Sequence, residues 1–243
     1  MNAWWAQTSA EVRMNIRRGE TLLLTLGIPL GLLVFFSETK VTTLPGPSRI
    51  DFMAPGILAL CVLSTSLVAL SIATGFERSY GVLRRLYVTP LGQRRLIGSK
   101  IASVLLTQAI QIVVLSLAAL LLGWHPHGGL LGGLEVTAAL VLGSAGCAGI
   151  GLLLAGRLRA EVNLAASNGL YLILLLLSGV VVPLSTLPHV VSNVVTWLPS
   201  GAMAAAVRNV LDHGVAPSLA EWVALGIWSV LAPLLATRTF TFE

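Results

Sequence analysis

Six apolar stretches divide this chain, each close to the roughly 20 residues a helix needs to cross the hydrocarbon of a bilayer. They cover residues 21–37, 53–75, 97–122, 134–155, 164–182 and 219–237. Only 10% of the residues are charged, against about 25% in an ordinary soluble domain. Too little polar side chain remains to cover a globule in water. The expected fold is an all-α polytopic membrane protein with six transmembrane helices, a single domain over residues 1–243. The first stretch is short and holds Pro29, which predicts a kink or a tilt. Residues 183–211 are too apolar for a free loop, yet Pro183, Pro188 and Pro199 cut them into pieces too short to span. Short re-entrant helices are expected there, since backbone at membrane depth must be helical or buried in protein.

Charge orients the set. With the N-terminus inside, the inner segments hold 12 of the 15 Lys+Arg residues: Arg13, Arg17, Arg18, six between positions 76 and 100, then Arg157, Arg159 and Arg238. Lys40, Arg49 and Arg208 fall outside. The positive-inside rule therefore puts both termini in the cytoplasm. The net charge of +5 is membrane topology, and no nucleic-acid partner is expected. Thirteen arginines to two lysines suggest a GC-rich bacterial genome, hence a bacterial inner membrane. Ahead of the first stretch, residues 1–20 read as an interfacial helix against lipid headgroups, with Trp5, Val12 and Ile16 on one face and Glu11, Arg13, Arg17 and Arg18 on the other.

No Asp, Glu, Lys, Arg or His falls deep in any of the six stretches; Glu135 and Glu221 sit near their ends. Ion-coupled transport and intramembrane hydrolysis both need ionisable groups at depth. If the chain moves something uphill, the energy enters from elsewhere. His125, His127 and His189 lack the neighbouring Cys or carboxylate of a metal site, so no metal is expected. Cys61 and Cys147 lie in apolar spans and read as packing residues. The run GQRRLIGSK at 92–100 misses the spacing of a phosphate-binding loop, and the spans leave no room for a nucleotide-binding domain.

The most informative loop is FERSYGVLRRLYVTPLGQRRLIGSK, residues 76–100. Val82 pairs with Leu86 and Tyr80 with Leu83 at helical spacing, while Arg78, Arg84 and Arg85 take other angles. Thr89–Pro90 ends the helix. The result is a short cytosolic helix with an apolar edge. Such a helix either docks a partner or lies on headgroups with its arginines anchoring topology.

This loop resembles the segment between the second and third spans of ATP-binding-cassette (ABC) type-2 permeases. The matching residues are Glu77, Gly81, Leu83, Leu86, Thr89, Pro90, Leu91, Gly98 and Lys100. The stretch SGVVVPLSTLPHVVSNVVTWLPSGA is similar to that family's break after the fifth span, through Ser178, Gly179, Pro183, Leu187, Pro188, Leu198 and Pro199. The ending from Arg238 to Glu243 resembles the family's short basic-aromatic terminus. Val82 stands where threonine is usual, and Arg84 where glutamate is common.

The resemblance implies the permease subunit of an exporter. Two six-span subunits, identical or related, would enclose a pathway above two ABC ATPase subunits. Those partners bind ATP and Mg; no cofactor is expected in this chain. Residues 76–96 would form the coupling-helix loop, with Glu77, Arg78, Gly81, Leu83, Arg84, Arg85, Leu86, Thr89 and Pro90 at the ATPase contact and Leu83 and Leu86 filling its apolar centre. Gln108 and Gln111 share a helix face and, with Asn168, are candidates for the substrate pathway. A hydrophobic, lipid-like or drug-like cargo moving outward fits the apolar interior. Two other readings stay open: a polytopic membrane enzyme acting on lipid, and a membrane anchor recruiting a cytosolic protein.

Overall fold

The computed structural model describes residues 3–17, 23–38, 49–87, 92–179 and 189–241, and every element in them is helical. Helix α1 (Ala3–Arg17) is followed by a π-helical turn, Leu23–Gly27, that runs into α2 (Ile28–Glu38). A long rod comes next: α3 (Arg49–Leu63), a second π-helical turn at Ser64–Ala69, and α4 (Leu70–Ser79). Then follow α5 (Val82–Tyr87), α6 (Gly92–Leu121), α7 (Gly129–Arg157), α8 (Ala160–Leu177), α9 (His189–Trp197), α10 (Pro199–Leu211) and α11 (Leu219–Thr239).

Among the described residues, five helices are long and apolar enough to cross a membrane: Ile50–Ser79, Gly92–Leu121, Gly129–Arg157, Ala160–Leu177 and Leu219–Thr239. The first expected span does not reach that length and is a shorter apolar stretch, Thr25–Phe35. Pro29 supplies the physical reason for an irregular start: it has no N–H to donate back into the preceding turn, and the π-helical turn lies directly before it. Helix α6 begins five residues earlier than expected, so residues 92–100 are its first turns and not a loop. Where re-entrant helices are expected stand the two short helices α9 and α10. Pro199 opens α10 at a position where its missing N–H costs nothing. Helix α10 is sunk in protein, with Ala202, Ala206 and Val207 fully buried.

Helix α7 forms the centre, packed against α4, α10 and α11. Its small residues make that possible. A Cβ on Gly143 would come within 2.5 Å of the Met203 sulfur, one on Gly149 within 2.5 Å of the Pro233 backbone nitrogen, and one on Gly151 within 2.7 Å of the Leu67 carbonyl. Cys147, between them, is fully buried. Gly143, Cys147 and Gly151 recur every four residues along α7 and serve close packing.

The two ends of the bundle differ. The basic end gathers the close of α4, α5, the start of α6, the close of α7, the start of α8 and the close of α11. Side chains there satisfy helix-terminal carbonyls that would otherwise lack partners. Arg78 Nη1 donates to Ala155 O at 2.8 Å and Leu158 O at 3.4 Å. Gln93 Nε2 donates to Thr237 O at 2.8 Å, and Thr241 Oγ1 donates to Gly156 O at 2.6 Å. At the opposite end, the His125 N–H donates to Asp51 Oδ1 at 2.9 Å and the His127 N–H to Leu211 O at 3.0 Å. Both histidines thereby serve the turn between α6 and α7.

Helix α1 packs along α6, but not on the expected face. Thr8 and Glu11 are buried and Trp5 is 56% exposed. Of the residues read as polar, Arg13 and Arg17 stay exposed while Glu11 turns inward, and its reason is a charge on α6.

Candidate functional site

The turn from α4 into α5 depends on Gly81, whose φ of +70° lies in the left-handed region that only glycine enters without strain. That reversal lays α5 across the basic end. Leu83 then points inward and is fully buried, in a cluster with Leu70, Leu96, Ile97, Leu152, Ala236 and Phe240. Leu86 packs, partly buried, against the same cluster. This corrects the expectation that Leu83 and Leu86 form the centre of an outer contact. What faces outward is Tyr80, 72% exposed, with Val82, Arg84 and Arg85 beside it. Arg78 also leaves the expected surface, because its guanidinium closes the end of α7. Thr89 and Pro90 lie outside the described residues.

Glu77 turns toward a buried ion triad. Lys100 Nζ lies 3.0 Å from Glu11 Oε1 and 2.5 Å from Glu77 Oε2. The lysine side chain is 2% exposed, Glu11 6% and Glu77 13%. Gln7 Nε2 adds a donor to Glu11 Oε1 at 2.9 Å. Three helices thus meet at one ammonium: α1 through Glu11, α4 through Glu77 and α6 through Lys100. A charge this far from water persists only when paired and hydrogen-bonded.

The triad forms one end of a cavity of about 660 Å³, bounded by α1, the start of α2, the α3–α4 rod, α6 and α8. Asn168 lines it with Tyr171, and its amide Nδ2 donates to Leu164 O of its own helix. Gln108 and Gln111 are not on its wall. Gln108 Nε2 donates to Val62 O at 2.9 Å and its Oε1 accepts from Ser144 Oγ at 2.6 Å. Gln111 Nε2 donates to Thr25 Oγ1 at 2.9 Å while its Oε1 accepts from Thr65 Oγ1 at 3.1 Å. Both amides bond between helices. Among the described residues, no three of His, Cys, Asp and Glu converge in a way that could hold a metal.

Comparison with known proteins settles the family. The model of the ABC-2 family transporter protein matches residues 24–238. The chain belongs to the ABC-2 transporter family. It is also 23% identical over 204 residues to the protein named "Putative transport permease YvfS" of Bacillus subtilis (strain 168), covering 82% of each chain. As an ABC-2 family member with five long apolar helices among its described residues, it is a multi-pass membrane protein and a transporter permease subunit. ABC-2 permeases generally partner with an ABC ATPase. The match begins beyond α1, so Glu11 reaches the triad from outside the region that defines the family.

Sequence reasoning placed Glu77 and Lys100 in one ABC-2 motif but not in contact, and it put Glu11 on a headgroup-facing helix and not at the site. One signal was available. Lys100 is one of two lysines among thirteen arginines, and it stands where a helix enters the apolar layer.

Proposed function

We propose that this chain is the membrane-spanning half of an ABC exporter, docking a separate ATPase on α5 and moving a hydrophobic or amphipathic cargo outward. The observation that carries the reading is the division of labour between α5 and the turn that leads into it. Leu83 is clamped in the chain's own interior while Arg84, Arg85, Val82 and Tyr80 face out. A helix rooted inward and presenting two guanidiniums beside an exposed aromatic suits a rigid partner with an acidic groove.

In this reading the basic end is cytoplasmic, as are both termini, and α2 completes a sixth, tilted crossing in a bacterial inner membrane. Two ATPase copies bind ATP and Mg below a pair of permeases, identical or related. Closure of the ATPases pushes on α5. The push passes through Leu83 into the cluster at the base of α6 and α11, and through Glu77 and Lys100 into the cavity wall. Asn168 is the pathway candidate that the cavity supports. Gln108 and Gln111 hold its wall together from behind.

The test is a mild-detergent pull-down of the tagged chain from native membranes. A stoichiometric soluble subunit with a phosphate-binding loop is the expected result. Recovery of the chain without any ATPase, under conditions that preserve known complexes, would return the choice to a lipid enzyme or a scaffold.

A further inference from the structure

The cavity has an unequal charge count. Glu11, Glu77 and Lys100 all line it, and two carboxylates share one ammonium. Among the described lining residues, the carboxylates outnumber the cations two to one. Glu11 Oε1 and Glu77 Oε2 are taken by Lys100. Among the described residues that line the cavity, no second cation balances the excess. Arg78, the next residue in sequence, donates from Nη1 to the carbonyls at the end of α7. Glu77 is the more exposed carboxylate of the two, and the exposed Tyr80 lines the cavity with it.

Most of the remaining wall is apolar, through Ile28, Leu60, Val68, Ile72, Phe76 and Val104, with Thr65, Thr107 and Asn168 among the uncharged polar groups between them. A volume of about 660 Å³ lies in the range of sites for small organic ligands, roughly 300–1,000 Å³. A mostly apolar chamber with two carboxylates and one ammonium in its wall is complementary to an amphiphile with one positive group. An anionic headgroup entering the same end would meet a net negative charge in a medium that screens it poorly.

We infer that the cavity selects cationic amphiphiles, with Glu77 as the residue that reads the positive charge and Lys100 and Glu11 as the pair that positions it. The inference rests on the transport reading and narrows its cargo. Lys100 has a double duty here: it holds Glu77 in place and, by carrying only one charge against two, leaves the excess that attracts the ligand.

Two probes of nearly equal shape and opposite charge test this. Saturable binding of tetraphenylphosphonium and of tetraphenylborate is measured on the purified full chain in lipid nanodiscs, with empty discs subtracted. The cation is expected to bind at least about tenfold more tightly than the anion, and Glu77→Gln to remove that preference. Should Glu77→Gln fold poorly, Asn168→Lys adds the missing positive charge on an exposed wall position and is expected to abolish the preference as well. Equal affinities, a preference for the anion, or a preference unchanged in both variants would overturn the assignment. ATPase activity of the intact complex separates this failure from a failure of the transport reading. A cation preference with an ATPase deaf to the cation upholds the site and sinks transport. An ATPase stimulated by neutral amphiphiles, with no cation preference in the chain, does the reverse.

Discussion

Asn163 holds Ser71 from both sides: its Nδ2 donates to the Ser71 carbonyl and its Oδ1 accepts from the Ser71 hydroxyl, each at 2.9 Å. Ser167 adds its hydroxyl to the same serine at 2.9 Å, and all three residues are fully buried. The clasp fixes α8 to α4 one turn above Gly75, where a Cβ would sit 2.6 Å from the Asn163 amide nitrogen.

Breaking that clasp should loosen α8. Asn163→Ala is expected to lower stability by about 1–2 kcal/mol, in keeping with interhelical hydrogen bonds in membranes. Gly75→Ala should give a similar loss by pushing the amide out of place. Reversible unfolding in mixed micelles measures both, and a loss near zero for the two variants would mean that helix packing alone holds α8.

The approach of α7 to α11 should be less forgiving. A Cβ on Gly149 meets backbone atoms of Ala232 and Pro233 at 2.5–2.6 Å, and backbone cannot rotate away. Gly149→Ala is expected to cost about 1–3 kcal/mol, whereas Gly133→Ala, with nothing within 4 Å, should be neutral or slightly stabilising. Thermal denaturation in detergent compares them directly.

Removing the triad's cation should be worse than removing the whole triad. Lys100→Met leaves two carboxylates facing each other in a buried site, a change expected to cost about 3–5 kcal/mol. Lys100→Met combined with Glu11→Leu and Glu77→Leu replaces the ions by apolar surface and should recover much of that loss. Protease sensitivity of α1 reads the difference, because Glu11 ties that helix to α6.

For α5, burial separates folding from docking. Arg84→Glu with Arg85→Glu changes exposed positions and should leave the chain inserted and stable, while weakening ATPase association by roughly 10- to 100-fold, mainly through a slower and more salt-dependent on-rate. Leu83→Asp, by contrast, buries a carboxylate in an apolar cluster and should damage the basic end of the bundle itself. Yield, stability and ATPase co-purification together distinguish the two defects. Normal co-purification of the double arginine variant at all salt concentrations would remove α5 as the docking surface.

How much of this could be read beforehand follows from the physics of each element. Lengths of apolar stretches located all five long helices to within a few residues, because the bilayer sets a length and hydropathy reports it. At residues 21–37 the same reasoning leaves a shorter apolar helix, Thr25–Phe35, because hydropathy does not register the π-helical turn before Pro29. Glycine spacing on α7 announced a close contact but not the partner; only tertiary structure pairs Gly149 with Pro233. At the candidate site, helical spacing found the helix α5, yet not its rotation. Leu83 and Val82 are adjacent apolar residues, and which one turns inward is decided by the reversal at Gly81. The ion triad was hidden for a different reason. Its members are 66 and 23 residues apart in the chain, so no local pattern joins Glu11 to Glu77 or Glu77 to Lys100.

The π-helical turn at Ser64–Ala69 has a consequence for everything after it. A π turn accommodates one residue more than an α turn, and each residue in a helix advances the chain by about 100° around the axis. The turn therefore sets the angular phase of α4 relative to α3, and with it the compass bearing of Glu77. Were residues 64–69 to wind as regular α-helix with none removed, the extra residue would no longer be absorbed, and Glu77 would swing about a quarter of a circle away from Lys100. Arg78 and Ser71 would lose their partners in the same movement. A single irregular turn at mid-membrane thus acts as the indexing notch for contacts at the far end of the rod.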